Sequence, residues 1–260
     1  MRKICLLLIL IGLVWAITPT ANLAQTTPSE LLVAAAANLS DIFTAAADEF
    51  QKSTGIKVTL SFGSTGSLAR QIENGAPFDL FAAADVATVD SLLEGGFILP
   101  ESERLYARGR LIIWWPADSK VQVDTPQDLL KPAVQRIALA NPDLAPYGAA
   151  AKQSLIAMGL WDALQPKIVY ADNVSAAKQF VSTGNADVGF IPVSLLQPGK
   201  DRFLAVSQRL HAPLDQALGI VKGAKNQAAA QQFSDFLASA EGQGLLEDYW
   251  YSIPSPSTKP

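Results

Sequence analysis

Apolar and polar residues alternate along the chain with two periods, one typical of strands and one typical of helices. Within residues 57–72, Val58, Leu60 and Phe62 alternate with polar neighbours, which predicts a central strand at 58–62. A Gly-Ser-Thr-Gly turn follows, and apolar residues then recur at helical spacing. Because the first turn of a helix has unpaired N–H groups, this turn is a candidate anion-binding loop, although ordinary strand-to-helix turns have the same pattern.

The same succession of periods continues through the rest of the chain. Further strands are predicted at 31–37, 79–83, 110–115, 137–140, 167–170, 187–191 and 214–221. Helices are predicted at 42–50, 86–93, 125–130, 147–158, 176–184, 228–237 and 241–250, and a disordered tail at 252–260.

This order of elements predicts an α/β fold made of two lobes. We assign residues 25–110 and 210–260 to lobe I and residues 111–209 to lobe II, with one crossing between them near 107–111. Two α/β lobes joined by two crossings predict a ligand cleft between them. No internal repeat is visible in the sequence.

Residues 1–24 have the pattern of a cleaved secretory signal. Arg2 and Lys3 precede an apolar run at 5–17, and small and polar residues follow, with cleavage expected after Ala24 or, as second choice, after Ala21. The run of 13 residues is short of the ~20 that a membrane span needs. Cys5 precedes the apolar run, which is too early for a lipidation site.

Charge and composition exclude several function classes. Removing Arg2 and Lys3 from the 20 basic residues leaves 18 against 24 acidic residues, a net charge of −6, which argues against a nucleic-acid or anionic membrane surface. Cys5 and His211 are the only cysteine and histidine. We therefore expect no thiolate metal site, no disulfide and no metal cofactor in the mature chain.

Three more loops resemble the Gly-Ser-Thr-Gly turn in character. Asn38 follows the first strand, Tyr147 begins a helix after a Pro, and Val174 lies at another helix start. The carboxyl ends of parallel strands meet at one edge of a sheet, which is where ligands bind. On the residues alone, Tyr147 either packs its ring or directs its hydroxyl at the helix start. Asp79 and Asp85 are either ligands or turn and cap residues, the commoner role.

Four stretches, in their order and spacing, carry a family resemblance: VAAAANL at 33–39, FGSTGSLARQIENGAPFDLFAAAD at 62–85, NPDLAPYGAAA at 141–151 and DNVSAAKQFVSTGNADVGF at 172–190. With them the chain resembles, over 31–254, the periplasmic molybdate-binding proteins of ABC importers, often called ModA. The resemblance implies the class II periplasmic binding protein fold and a monomer in the periplasm. It also implies capture of molybdate or tungstate between the lobes, delivery to a membrane permease, and no catalysis.

The resemblance also implies which residues contact the oxyanion. Position by position these are Asn38, Thr65, Tyr147 and Val174, the last through its backbone N–H, with Ala37 and Ser64 as neighbours that add backbone donors. The chain departs from the family pattern at two positions. Ala37 has no hydroxyl where some relatives have Thr, and Pro192 stands where others carry a ligand tyrosine, which fits the branch that uses Tyr147 instead.

The residue types suit a fully deprotonated oxyanion, which has only acceptor oxygens and therefore needs only donors. Phosphate keeps a proton near neutral pH and would require an acceptor, for which Asp172 is the nearest candidate. Sulfate has the same charge as molybdate and differs mainly in size, so a sulfate-binding protein stays an alternative. Tungstate is nearly the same size as molybdate, and we expect both to bind.

Two other classes of function are less well supported. A secreted serine hydrolase would use Ser64 or Ser67 with His211 and an aspartate, but no GxSxG motif is present and His211 lies in a polar stretch, 207–213, predicted as a surface loop. In an adhesion or scaffold module the similarity of the four loops would be accidental.

Overall fold

The computed structural model describes residues 30–197 and 201–254. The predicted signal at 1–24 and most of the predicted tail lie outside these residues. The strands are β1 Glu30–Ala36, β2 Lys57–Gly63, β3 Leu80–Ala82, β4 Arg104–Arg108, β5 Leu111–Pro116, β6 Ile137–Ala140, β7 Ile168–Ala171, β8 Val188–Pro192, β9 Asp201–Ala205 and β10 Asp215–Ile220. The helices are α1 Ser40–Thr54, α2 Thr65–Glu73, α3 Ala87–Glu94, α4 Pro146–Ala157, α5 Trp161–Leu164, α6 Val174–Ser182, α7 Gln227–Ala238 and α8 Ala240–Asp248.

The strands form two five-stranded mixed sheets, one in each lobe. The first has the order β2-β1-β3-β10-β4 and the second β7-β6-β8-β5-β9. The chain passes from the first sheet to the second between β4 and β5, and returns between β9 and β10. The predicted lobe boundaries, after 110 and after 209, lie within these two connections. The prediction of two α/β lobes is confirmed.

The two sheets have the same construction although the sequence shows no repeat. In each sheet three neighbouring strands run parallel, and the fourth is antiparallel to them (β10 in the first, β5 in the second). The parallel strands alternate with helices, so their carboxyl ends and the following helix starts lie at one edge of each sheet. These two edges face each other across the cleft.

The helices cover both sheets with apolar faces. In lobe I, Phe43 and Phe50 of α1 pack their rings against Phe233 of α7, with ring centroids 5.8 and 5.1 Å apart. In lobe II, α4 and α6 pack on strands β6 and β8. Within the described residues, no helix has both the length and the apolar character that a bilayer span requires.

The structure corrects several details of the sequence prediction. The strand predicted as central, β2, is an edge strand, and Phe62 is 39% exposed because only one side of β2 is paired. Strands β4 and β9 were not predicted. The predicted tail begins too early, since Ser252 pairs with Arg108 through two backbone hydrogen bonds of 2.7 and 3.1 Å.

Candidate functional site

Four loops that follow strands β1, β2, β6 and β7 meet between the lobes and enclose a small cavity. Its empty space is about 200 Å³, part of it open to solvent. A helix or 3-10 turn begins in each loop: the turn Ala37–Leu39, α2, α4 and α6. All six residues predicted for the site line this cavity: Ala37, Asn38, Ser64, Thr65, Tyr147 and Val174. The structure thus brings them together, and their contact with a ligand stays a prediction.

The first loop presents backbone rather than side-chain donors to the cavity. Ala37 and Asn38 open a 3-10 turn, whose first N–H groups have no acceptor within the turn. The Asn38 side chain has another role, because Nδ2 donates to Gln216 Oε1 and to the Tyr251 hydroxyl, both at 2.9 Å. With both amide hydrogens used in this way, Asn38 can offer the cavity its backbone N–H.

The second loop supplies the start of α2. Thr65 is its first residue, and the Thr65 Oγ1 atom accepts a hydrogen bond of 3.2 Å from the backbone N–H of Ala84. The oxygen is thereby used as an acceptor, so the hydroxyl hydrogen is available for donation. Ser64 donates its own hydroxyl to Ser67 Oγ at 2.7 Å. Ser64 therefore contributes a backbone N–H, as predicted for a neighbour of the site, whereas Thr65 offers both an N–H and an O–H.

The third loop places Tyr147 in the first turn of α4, where its side chain is 1% exposed. Its hydroxyl oxygen accepts a hydrogen bond of 3.1 Å from Gln216 Nε2. Burial, with a smaller contribution from the neighbouring Tyr251, raises the pKa of Tyr147 well above its ordinary value. The hydroxyl therefore keeps its proton and remains a donor. Gly148 permits this geometry, because a Cβ there would lie 2.1 Å from the carbonyl oxygen of Ala140.

The fourth loop supplies the start of α6. Asn173 caps the helix by accepting a hydrogen bond of 3.0 Å from the N–H of Ala176. Val174 is the first residue of the helix, so its N–H has no acceptor in the helix itself. Ser175 donates its hydroxyl across the cleft to the carbonyl of Ala37 at 3.1 Å.

No charged side chain lines the cavity among the residues that the structure describes. Asp172, the candidate acceptor for a protonated anion, is exposed and is not part of this lining, and neither is Pro192. The remaining lining residues are Ala36, Gly63, Ala84, Ala145, Pro146 and Asn173. The positive field at the cavity therefore comes from the dipoles of helix starts. The described residues also contain no group of three or more His, Cys, Asp or Glu side chains arranged to hold a metal ion.

Behind the lining lies a buried polar network that the sequence analysis missed. Its members are Asn38, Tyr106, Tyr147, Ser194, Gln216 and Tyr251. Gln216 was detectable as an isolated polar residue in an apolar strand, which requires buried partners. Tyr251 was not, because the segment was assigned to the end of a helix and a disordered tail. Burial raises the pKa of Tyr251 to about 12 and that of Tyr106 well above its ordinary value.

Several hydrogen bonds join the two lobes around the cavity, so the cleft is closed. The backbone N–H of Gly66 donates to the carbonyl of Leu144 at 2.9 Å. Ser194 donates to the carbonyl of Asn38 at 3.0 Å and accepts from Tyr251 at 3.0 Å. Together with the bonds of Ser175 and of Gln216, these contacts connect both walls of the cavity.

The remaining candidates from the sequence have structural roles. Asp79 is buried, and its carboxylate accepts from the backbone N–H of Leu32 and of Asn226 at 2.9 and 3.0 Å, while Asp85 accepts from the N–H of Thr88 at 2.6 Å. The prediction that His211 lies in a surface loop is wrong. His211 is 9% exposed, and its Nδ1 lies 2.7 Å from the carbonyl oxygen of Ala212, so its recorded contact is with its neighbour in the chain rather than with Ser64 or Ser67.

Comparisons with known proteins agree with this geometry. Residues 31–252 match the family model of bacterial extracellular solute-binding proteins. The chain is 38% identical to the molybdate-binding protein ModA of Azotobacter vinelandii over 86% of this chain and 90% of that protein. It is 34% identical to ModA of Rhodobacter capsulatus over 85% and 88%. The crystal structure of the A. vinelandii periplasmic molybdate-binding protein superposes with a TM-score of 0.80, at 32% identity, covering 86% of this chain and all of that one.

Proposed function

Because the chain belongs to the ModA family of molybdate-binding proteins, within the bacterial extracellular solute-binding proteins, we propose that it captures molybdate, and equally tungstate, between its two lobes. The bound oxyanion is then delivered to the membrane permease of an ABC importer. The protein works as a monomer in the periplasm, which it reaches through the secretory signal at 1–24, and it has no catalytic role and no cofactor.

The observation that carries this proposal is the donor set around the cavity. Four helix or turn starts meet there, two hydroxyl oxygens already accept hydrogen bonds from N–H groups, and no charged side chain is present among the described lining residues. An oxyanion without protons offers only acceptors, so each of these donors can be used. The match between donor-only lining and acceptor-only ligand supports a fully deprotonated oxyanion.

The same donors explain how a dianion can leave water. An isolated charge in a medium of low dielectric would lose tens of kcal/mol of solvation. Each hydrogen bond to a charged group returns ~1.5–3 kcal/mol, and each helix start adds ~0.3–2 kcal/mol. Because these donors come from both lobes, the full set forms only when the cleft closes. Binding energy is therefore coupled to closure, and the closed form is what a permease can recognise.

Selectivity follows from protonation and from size. Phosphate carries a proton near neutral pH, and the described lining offers that proton no carboxylate, since Asp172 is exposed. Sulfate has no proton and must be rejected by the dimensions of the closed cavity. Tungstate, nearly equal in size to molybdate, meets the same donors.

Calorimetric titration of the mature protein, from Gln25 onward, tests the proposal with molybdate, tungstate, sulfate and phosphate in turn. We expect one-to-one binding of molybdate and tungstate with a dissociation constant of about 1 μM or lower, ~8 kcal/mol, and much weaker binding of sulfate and phosphate. Tight binding of sulfate alone would support the alternative of a sulfate-binding protein. Silence with all four anions would overturn the proposal.

The hydrolase alternative is tested by His211→Ala in the same titration. His211 has no recorded contact with the cavity residues, so we expect the affinity for molybdate to remain unchanged. Ester hydrolysis by the unmodified protein that disappears in His211→Ala would instead support an enzyme.

A further inference from the structure

Gln216 is a fully buried polar residue on strand β10 of lobe I, outside the cavity lining. Its Oε1 accepts hydrogen bonds from Asn38 Nδ2 at 2.9 Å and from the Tyr106 hydroxyl at 3.2 Å. Its Nε2 donates to the Tyr147 hydroxyl at 3.1 Å. Gln216 therefore connects one residue of each cavity wall, Asn38 in lobe I and Tyr147 in lobe II.

The network fixes which way the Gln216 amide points. The reverse orientation would set the NH₂ group of Gln216 against the NH₂ group of Asn38, which cannot form a hydrogen bond. Asn38 is itself held, because its Nδ2 also donates to the Tyr251 hydroxyl at 2.9 Å. The Nε2 of Gln216 thus faces Tyr147, and the Tyr147 oxygen is an acceptor.

This arrangement determines the direction of the Tyr147 hydrogen. Within the described residues, no recorded hydrogen bond takes that hydrogen, and Tyr147 lines the cavity. The hydroxyl lies against the connection between the lobes, where a Cβ on Gly109 would be 1.8 Å from it, so the ring has no room to shift. The Tyr147 O–H can then serve the cavity only as a donor.

We propose that Gln216 is a positioning residue that makes the Tyr147 hydroxyl a pure donor and thereby favours oxyanions without protons over protonated ones. This inference rests on the proposed function. A ligand oxygen without a proton accepts from Tyr147, whereas a ligand O–H facing Tyr147 would meet another O–H that cannot turn away. The selection against protonated oxyanions is thus set by a residue that does not touch the ligand.

A double-mutant cycle tests the proposal with molybdate and inorganic phosphate as ligands. Gln216→Met keeps the length of the side chain but removes the amide, so the Tyr147 hydroxyl is free to rotate. We expect about a five- to tenfold loss of molybdate affinity, the worth of one hydrogen bond. In the Tyr147→Phe background the same change should cost almost nothing further, because the hydroxyl that Gln216 positions is absent.

The ratio of molybdate to phosphate affinity separates positioning from a structural role. In Gln216→Met the freed hydroxyl can accept from a protonated anion, so this ratio should fall. A matched control is Ser102→Ala, which removes a buried side-chain acceptor of the Ile220 N–H (2.8 Å) on the same strand and should leave the ratio unchanged. Thermal melting of each variant verifies that it is folded.

Gln216→Glu provides a second variant with its own signature. A carboxylate would accept the Tyr147 hydrogen and turn the donor away from the cavity, so affinity should fall further than in Gln216→Met. Tyr106, Tyr147 and Tyr251 are the titratable groups of the surrounding network, and their pKa values are all raised. Lowering the pH therefore protonates the introduced carboxyl, which can then donate to Tyr147 and restore affinity.

The outcomes distinguish this inference from the proposed function. If the unmodified protein binds no oxyanion, the proposed function fails and the inference with it. If the unmodified protein binds molybdate but Gln216→Met lowers molybdate and phosphate affinity equally, or adds its full effect to Tyr147→Phe, Gln216 does not position the hydroxyl and the inference alone is overturned.

Discussion

The two hydroxyls that face the cavity, those of Thr65 and Tyr147, are oriented in different ways. The Thr65 oxygen accepts from the backbone N–H of Ala84, in the same lobe. The Tyr147 oxygen accepts from the side chain of Gln216, in the opposite lobe. The first donor is therefore aligned whether the cleft is open or closed, whereas the second is aligned only in the closed form.

This difference indicates how ligand capture and closure are divided between the lobes. Lobe I holds a preformed donor together with the N–H groups at the start of α2, so it can bind the oxyanion first. Lobe II brings Tyr147 and the start of α6, and Tyr147 is oriented only after the lobes meet. Lobe I should thus set the initial affinity, and lobe II should add affinity that depends on closure.

The largest effect is expected for Thr65→Pro, which removes both donors of a preformed position. Thr65 is the first residue of α2, where Pro is tolerated, and Ser64 already has the extended conformation that a following Pro requires, with ψ 146°. We expect a loss of about a hundredfold or more in molybdate affinity, two bonds of ~1.5–3 kcal/mol each. Thr65→Ala, measured beside it by calorimetry, should lose less because its N–H remains. Equal losses would exclude the backbone contact.

Tyr147→Phe removes the donor that depends on closure. We expect affinity to fall about tenfold or more, since one donor to a buried charge is lost, ~1.5–3 kcal/mol. Titration of the variant with molybdate gives the value, and unchanged affinity would remove Tyr147 from the site. To sharpen the comparison, Thr65→Ala should cost the same in the Gln216→Met background as in the unmodified protein, whereas Tyr147→Phe should not.

A smaller effect is expected for Ser194→Ala, which acts on closure alone. Ser194 donates to the Asn38 carbonyl across the cleft and does not line the cavity within the described residues. Losing this bond weakens the closed form by ~1 kcal/mol, so affinity should fall about fivefold or less. Ser182→Ala is the control, because Ser182 bonds to Lys178 within α6. A loss for Ser182→Ala as large as for Ser194→Ala would contradict a role in closure.

The smallest effect is expected for pH. Tyr147 is the only titratable side chain in the described lining, and burial raises its pKa well above its ordinary value, so it stays protonated as pH rises. Molybdate affinity should therefore be flat from mildly acidic to mildly alkaline pH. Stability should behave differently at strongly alkaline pH. Unfolded tyrosines ionise near ~10, while Tyr251 in the folded protein has a pKa of about 12, so the free energy of unfolding should fall as the pH rises above that of the unfolded tyrosines. Titrations and melts over this range measure both, and a midpoint in affinity near neutral pH would indicate another ionising group in the cavity.

Much of the fold and the lining of the cavity could be predicted from the sequence, because both depend on local patterns. Strand-to-helix loops with Asn38, Thr65, Tyr147 and Val174 follow apolar strands, and parallel strands bring such loops to one edge. Strand β9 was missed because its residues, in the sequence DRFLA, are half exposed and do not alternate clearly.

The second layer of the site could not be predicted, because its partners are distant in sequence. Asn38 bonds to Gln216 and Tyr251, which lie 178 and 213 residues further along the chain. No local period indicates which buried amide meets which hydroxyl. For the same reason the expected role of the Asn38 side chain could not be separated from that of its backbone until the structure showed where its amide hydrogens go.

Anomalous diffraction from crystals grown with molybdate tests the central claim most directly, because it locates the metal of the oxyanion without assuming where it binds. We expect one strong molybdenum peak between the lobes, with oxygens of the ligand within hydrogen-bond distance of Thr65 Oγ1 and the Tyr147 hydroxyl. A peak outside this cavity, or a Tyr147 hydroxyl turned away from the ligand, would contradict it.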